Sequence, residues 1–156
     1  PFIEEGKMKI GNNRMAWGKD GSLFIGRTKL SWAGDRGILR VKKKGDAFDV
    51  QNVNLTKKGF KFTFTEEVAE KFNKEKFKVI SYFYTYHKNY GSPQNSKEEA
   101  KLSNVKISAD GKTVSFDLNT LREGFVYQFD FKDFKSKSGK ELMNSTVCYT
   151  LNQTIK

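Results

Sequence analysis

Few residues in this chain could carry out covalent or metal chemistry, and His87 is the central one. It is the only histidine, and Cys148 is the only cysteine. The sequence therefore offers no histidine pair for a metal ion, no internal disulfide and no Cys-x-x-Cys spacing for zinc or covalent haem. His87 could be combined with Ser81 or Ser92 into a Ser-His-Asp arrangement, but neither serine has the context of a nucleophile elbow. We expect a hydrogen-bonded loop histidine, and we predict no catalytic residue, no metal site and no cofactor.

Three further positions resemble reactive or metal-binding groups but are predicted to be structural. Cys148 falls within a stretch of alternating residues, which predicts a small buried hydrophobic side chain in a strand. The pairs Asp20-Gly21 and Asp110-Gly111 are not followed by the repeated oxygen ligands of a calcium loop. Asp-Gly readily adopts the backbone angles of a tight hairpin turn, so both pairs are predicted to be turns.

An aromatic segment near the middle of the chain is the best candidate for ligand recognition. Tyr82, Tyr84 and Tyr86 occur at every second position, so in an extended strand their rings share one face. A solvated tyrosine has a flat apolar ring with a polar tip, which suits stacking on a sugar or packing on a partner protein. His87 and Tyr90 follow and extend the candidate site. The alternative is that this row covers the hydrophobic core, as aromatic residues at strand spacing usually do.

The net charge of +11 raises the alternative of a polyanionic partner. Only five of the 29 basic residues are arginine and the other 24 are lysine, although phosphate and base recognition commonly uses the bidentate arginine side chain. Lysines spread along the chain are more simply explained as a solvated surface. Stacking of bases on the tyrosines beside Lys78 and Lys88 is the less favoured interpretation, and nucleic acid is not the expected partner.

Strands must position these residues, because apolar residues alternate over most of the chain. Phe60, Phe62 and Phe64 alternate strictly with polar residues and mark the clearest half-buried strand. The predicted strands are residues 22–28, 38–41, 48–55, 59–64, 77–86, 105–108, 113–118, 125–131 and 146–151. One short helical turn is predicted over 66–72, and residues 87–102 form a loop long enough to indicate a binding segment. Short strands with almost no helix predict an antiparallel β-sandwich over about residues 50–156.

From Asn54 onward the order of several motifs resembles bacterial immunoglobulin-like domains found at the ends of secreted and cell-surface proteins. The motifs are GFKFTFTEEV, VKISADGKTVSFDL, LREGFVYQFDF and KSKSGKEL. They are similar to that family's F-x-F strand with its acidic turn, its DGKTV hairpin, its L-x-x-G-x-x-Y strand and its S-x-x-G turn. The resemblance implies an all-β, immunoglobulin-like antiparallel β-sandwich at residues 50–156.

The upstream segment NNRMAWGKDGSLFIGRTKLSWAGDRGILRV is similar to the closing part of a six-bladed β-propeller in glucose and sorbosone dehydrogenase-like bacterial proteins, which are often haem-linked. In those proteins the propeller precedes a domain with a Y-x-Y-H-x-x-Y-G-S-P stretch, which here runs from Tyr84 to Pro93. The resemblance implies that residues 1–45 form a blade-like β-hairpin segment. One blade can form neither a propeller nor its central site, so no dehydrogenase activity is expected.

The same resemblance implies an extracellular or periplasmic protein. The chain opens on Pro1 without a charged and then apolar leader, and we expect a processed product or an excised piece. No run of eighteen apolar residues is present, so no membrane span is predicted. Trp17 and Trp32 flank the first predicted strand, and we expect them either to dock on the sandwich or to form an exposed adhesive surface.

Together these observations predict a non-catalytic accessory module of a larger exported bacterial protein. It would pack against a propeller-type domain of the parent protein, with glycan as a candidate ligand of the tyrosine segment. The alternative is a basic module that binds polyanions or nucleic acid. A third possibility is an enzyme fragment with hydrolase activity around His87.

Overall fold

The computed structural model describes residues 11–28, 36–43, 45–69 and 77–156. The chain divides into two compact units, Pro1–Asp46 and Ala47–Lys156, which we call the N-terminal and C-terminal units. Within the described ranges every regular element is a β-strand, and none is a helix.

The N-terminal unit contains one three-stranded antiparallel sheet. Its strands β1 (Asn12–Trp17), β2 (Leu23–Arg27) and β3 (Gly37–Val41) follow one another in space as in sequence. Asp20 and Gly21 form the turn between β1 and β2, as predicted, and Gly21 has a positive φ of 74°. Hydrogen bonds from Ser22 and from Arg40 lower the pKa of Asp20 to about 2. The turn is thus fixed to the far edge of the sheet, since Arg40 lies on β3.

The C-terminal unit is a sandwich of two four-stranded antiparallel sheets. Its strands are β4 (Val50–Leu55), β5 (Gly59–Phe64), β6 (Phe77–Phe83), β7 (Asn95–Glu99), β8 (Leu102–Ile107), β9 (Thr113–Leu118), β10 (Phe125–Phe131) and β11 (Thr146–Leu151). The strand orders are β4-β5-β9-β8 and β11-β10-β6-β7. These are the A-B-E-D order and the G-F-C order of the immunoglobulin fold, with β7 added beside the C strand as in variable domains. The predicted all-β, immunoglobulin-like sandwich is therefore confirmed.

Aromatic side chains fill the space between the two sheets. Phe60, Phe62 and Phe64 of β5 are buried, as their alternation predicted. The rings of Phe60 and Phe62 each meet Phe129 of β10 edge to face, with centroids 4.9 Å apart. In antibody domains a disulfide joins the two strands at these places. Here aromatic packing connects the sheets, and each fully buried phenylalanine contributes roughly 1.5–3 kcal/mol.

Tyr127 fixes the connection that leads from β9 into β10. Its ring is buried, and its hydroxyl accepts the backbone N–H of Arg122 at 2.7 Å and donates to the carbonyl of Thr120 at 3.4 Å. This arrangement is the tyrosine corner of immunoglobulin-like sandwiches. Gly124 has a positive φ of 79° in the same corner, which glycine adopts without strain. The L-x-x-G-x-x-Y spacing in the sequence corresponds to this corner.

The predicted helical turn over 66–72 is wrong for residues 66–69, and the remainder lies outside the described ranges. Residues 66–69 are bent or extended, and Val68 forms an isolated bridge with Ser136. Thr65 precedes this segment, and its hydroxyl accepts the N–H of Asp49 at 2.9 Å and donates to the carbonyl of Ala47 at 2.7 Å. Its hydroxyl therefore secures the entry to β4.

Candidate functional site

The tyrosine-rich segment forms a loop rather than the end of a long strand. We call residues 84–94, which connect β6 to β7, the tyrosine loop. The prediction that β6 continues to Tyr86 is wrong, because neither neighbouring strand reaches that far. Pairing with β10 ends where Tyr82 lies opposite Val126, and pairing with β7 ends where Phe83 lies opposite Asn95. Beyond Phe83 the backbone has no described strand beside it.

Tyr82 lies on β6 but is not accessible to a ligand. It points to the side of the sheet opposite Ser81 and Phe83, and only 4% of its surface is exposed. Its ring meets that of Tyr84 edge to face at 5.3 Å. Burial, followed by hydrogen bonding to Tyr84 and the proximity of Cys148, raises the pKa of Tyr82 to about 12. The expectation of an accessible ring at Tyr82 is wrong, and this residue supports Tyr84 instead.

The other predicted tyrosines are solvated, but they do not form a flat row on a strand. Tyr84 is 53% exposed, whereas Tyr86 and Tyr90 are 103% and 108% exposed, as in an extended peptide. All three lie in the tyrosine loop, outside any strand. The structure therefore brings Tyr82 and Tyr84 into contact and presents Tyr86 and Tyr90 fully to solvent.

Hydrogen bonds between polar side chains tie the base of the tyrosine loop. The backbone N–H of Thr85 donates to Ser92 Oγ at 2.9 Å, and the Ser92 hydroxyl donates to the carbonyl of Pro93 at 3.0 Å. Asn95 donates from its side-chain amide to Thr85 Oγ1 at 3.0 Å. Sequence reasoning missed Thr85 and Asn95 as positioning residues, because nothing in their types or spacing distinguishes them from ordinary loop residues. These bonds hold the two ends of the loop together below the exposed rings.

His87 is an exposed residue of the same loop. Its Nδ1 accepts the backbone N–H of Asn89 at 3.2 Å, so it is a hydrogen-bonded loop histidine. Ser81 is buried and accepts a hydrogen bond from the Arg122 side chain at 2.6 Å. Ser92 is engaged at the loop base. Neither serine is hydrogen-bonded to His87 among the interactions of the described residues, and no cluster of three potential metal ligands occurs in that part of the chain.

The chemistry of the tyrosine loop suits a neutral or acidic polar ligand. Residues 84–94 contain Lys88 and no aspartate or glutamate. The exposed rings offer apolar faces with hydroxyl tips, and Lys88 and His87 add polar groups beside them. Such a surface can stack on a sugar ring and donate hydrogen bonds to its hydroxyl or carboxylate groups.

Cys148 is exposed, so the prediction of a small buried hydrophobic residue is wrong. It lies on β11, where Leu151 is buried while Val147 and Tyr149 pack against the core. Alternation then turns Cys148 to the outer side of the sheet. Trp17 on β1 is also exposed, and Trp32 lies outside the described residues.

The fold resembles part of a known cell-surface protein. Two solved structures are similar to this chain: the N-terminal part of the bacterial S-layer protein SbsC, and the S-layer protein rSbsC(31-844). Both are 23% identical over 70% of this chain, with TM-scores of 0.51 and 0.50. The chain spans only 24% and 14% of their lengths, so the similarity concerns the fold alone.

No family model and no curated protein sequence matches the chain. The described residues contain no helix long and apolar enough to cross a membrane.

Proposed function

We propose that this chain is a non-catalytic accessory module of a larger exported bacterial protein, and that its tyrosine loop binds carbohydrate. The observation that carries this proposal is the full exposure of Tyr86 and Tyr90 above a loop base tied by hydrogen bonds. Large aromatic rings are usually covered in a folded protein, and rings held out in solvent mark an interaction surface. A tied loop base lowers the conformational entropy that is lost when a ligand binds.

Packing against a propeller-type domain of the parent protein is the second part of the proposal. The N-terminal unit is a small antiparallel sheet, as a propeller blade is. Trp17 and Met15 of β1 lie opposite the buried Leu23 and Ile25 of β2, yet they are 69% and 61% exposed. A neighbouring blade would cover this apolar edge. Limited proteolysis near residues 42–45 should release the sandwich, whereas uniform resistance would contradict a two-part organisation.

An extracellular or periplasmic location completes the proposal. It rests on the resemblance to exported bacterial proteins, and a fold shared with part of an S-layer protein is in keeping with it.

The carbohydrate proposal can be tested on an array of bacterial and plant glycans with the full chain. Tyr86→Ala and Tyr90→Ala should each weaken binding about tenfold, the equivalent of roughly 1.4 kcal/mol. Tyr84→Ala should have a smaller effect, because its ring already packs on Tyr82. Trp17→Ala is the matched control, since it removes an exposed aromatic ring outside the loop. Binding unchanged by both loop substitutions would remove the tyrosine loop as the site.

A basic polyanion-binding module is the second candidate, and a row of lysines favours it. Lys61 of β5 and Lys106 of β8 both lie opposite Ser115 of β9, so they share the outer face of one sheet about 10 Å apart. Lys57 and Lys58 lie in the nearby turn between β4 and β5. Binding to heparin should then weaken steeply with salt and fall in Lys61→Ala. Affinity that does not depend on salt would exclude this candidate.

A further inference from the structure

The edges of the described sheets differ in how they are protected from pairing with another strand. An edge exposes unpaired N–H and C=O groups, and soluble proteins usually guard it with charges, prolines or irregular pairing. Of the six edges in the three sheets, five have such a feature. The register between strand and neighbour shifts along β1, β4, β7 and β8. Charged side chains lie on β1, β3, β7 and β8. The sixth edge, β11, has neither.

β11 is both regular and free of charge. It pairs with β10 without interruption, from Thr146 opposite Asp130 to Leu151 opposite Phe125. Residues 142–155 contain no aspartate, glutamate, lysine or arginine, although 30% of the chain is charged. This is the longest charge-free stretch in the sequence, and β11 lies at its centre. A regular, uncharged strand at a sheet edge is a template for another strand.

An open cleft of about 430 Å³ runs between the edges of β11 and β4. Val50, Val53 and Val147 line it and are only half-buried. Asn144 joins the two edges at one point, because its backbone N–H and its side-chain amide both donate to the carboxylate of Asp49. A strand added along β11 would place its inward side chains over these valines and remove them from water.

We propose that β11 pairs antiparallel with β11 of a second copy of this chain. The occupant follows from composition and regularity. The edge strand β4 is also uncharged, but its register shifts, so β11 is the one described edge strand that is both uncharged and regular, and a second copy supplies its match. A two-fold axis at Cys148, near the centre of the charge-free stretch, places Thr146 opposite the partner's Thr150. The same register places Cys148 opposite the partner's Cys148. The two four-stranded sheets then form one continuous sheet of eight strands.

The strength of this pairing and its salt dependence follow from its size and charge. Two six-residue strands bury less than the roughly 1,200 Å² of a stable complex, so a dissociation constant on the order of 0.1 mM is expected. Each copy carries a net charge of +11, and the two copies repel each other. Salt screens this repulsion and should strengthen the dimer. The opposite dependence is expected for a polyanion complex.

Analytical ultracentrifugation of the full chain up to about 1 mM tests the proposal. A monomer–dimer equilibrium that tightens with salt is expected. The double variant Thr146→Lys/Thr150→Lys should weaken it at least tenfold, because lysines then lie opposite lysines. Mixing that variant with Thr150→Glu should restore a heterodimer. The matched control, Gln94→Lys/Ser103→Lys, adds the same charges at exposed positions that do not line the cleft and should leave the dimer intact.

Cross-linking of Cys148 with a short bis-maleimide, which bridges two thiols, tests the register. The wild-type chain should give a covalent dimer, whereas Ser103→Cys in a Cys148→Ser background should not, since Ser103 is an exposed residue of the guarded edge β8. Circular dichroism should show that each variant is folded. A chain that stays monomeric, or a dimer that survives the double lysine variant, would overturn the proposal. Capture of a different protein by β11 together with a monomeric chain would overturn it as well.

Discussion

The core of the sandwich and the tyrosine loop use aromatic side chains in opposite environments. Tyr127 is fully buried and its hydroxyl is hydrogen-bonded to the backbone of Arg122 and Thr120, whereas Tyr86 is as exposed as in an extended peptide. The difference is not in the side chain but in the backbone around it. Tyr127 belongs to a strand paired on both sides, while Tyr86 lies beyond the last pairing of β6. Strand pairing therefore decides which rings stabilise the fold and which remain available to a partner.

The largest expected effect is in the core. Phe62→Ala should lower the free energy of unfolding by about 3–5 kcal/mol, because it leaves a cavity among several contacting phenylalanines. Tyr86→Ala should change it by less than about 0.5 kcal/mol. Urea denaturation measures both values. Equal losses for the two variants would mean that the loop rings also stabilise the fold.

A smaller effect is expected at the tyrosine corner. Tyr127→Phe keeps the ring but removes the acceptor for the N–H of Arg122, and it should cost about 1–3 kcal/mol. Tyr86→Phe is the matched control and should be neutral in the same urea experiment. A neutral Tyr127→Phe would show that the corner does not depend on its hydrogen bonds.

At the base of the tyrosine loop the effect on stability should be smaller again. Ser92→Ala removes the acceptor of the Thr85 N–H, and we expect a loss of no more than about 1 kcal/mol. Hydrogen exchange at the Thr85 amide should become faster, while core amides keep their protection. Unchanged exchange at Thr85 would indicate that other contacts hold the loop.

The smallest effect is confined to alkaline pH. The pKa of Tyr82 is raised from 10.0 to about 12 in the folded chain. Its contribution to stability is therefore complete below pH 10 and is lost as the pH rises towards 12. Tyr82→Phe should flatten the fall of stability in this window. An identical pH profile in the variant would contradict the burial of the Tyr82 hydroxyl.

The regular strands of the sandwich could be predicted from the sequence because their inward side chains alternate. The predicted bounds 59–64, 113–118, 125–131 and 146–151 agree with β5, β9, β10 and β11. The strands β1 and β7 were not predicted. β1 has the sequence NNRMAW, in which only Met15 and Trp17 are large and apolar, and β7 has the polar sequence NSKEE, so neither shows apolar alternation over its full length. Their strand structure comes from pairing with β2 and β6.

The candidate site was predicted only in part, for the same reason. The spacing of Tyr82, Tyr84 and Tyr86 placed their side chains on one face of a strand. The spacing does not show where the pairing of β6 with β10 and β7 ends, and the strand ends there. Alternation correctly predicted a strand at Cys148 but placed the cysteine on the buried face. Alternation alone does not show which face of a strand is covered. His87 was expected to be a loop residue, and its bond to Asn89 agrees with that role.

The aromatic contacts between β5 and β10 determine what the sandwich needs in order to fold. Because the sheets are joined by aromatic rings and the chain has a single cysteine, folding of the sandwich requires no oxidant and no disulfide isomerase. Reducing agents that destabilise antibody domains should leave the melting temperature of this sandwich unchanged. The fold of the sandwich therefore does not depend on the redox potential of its surroundings.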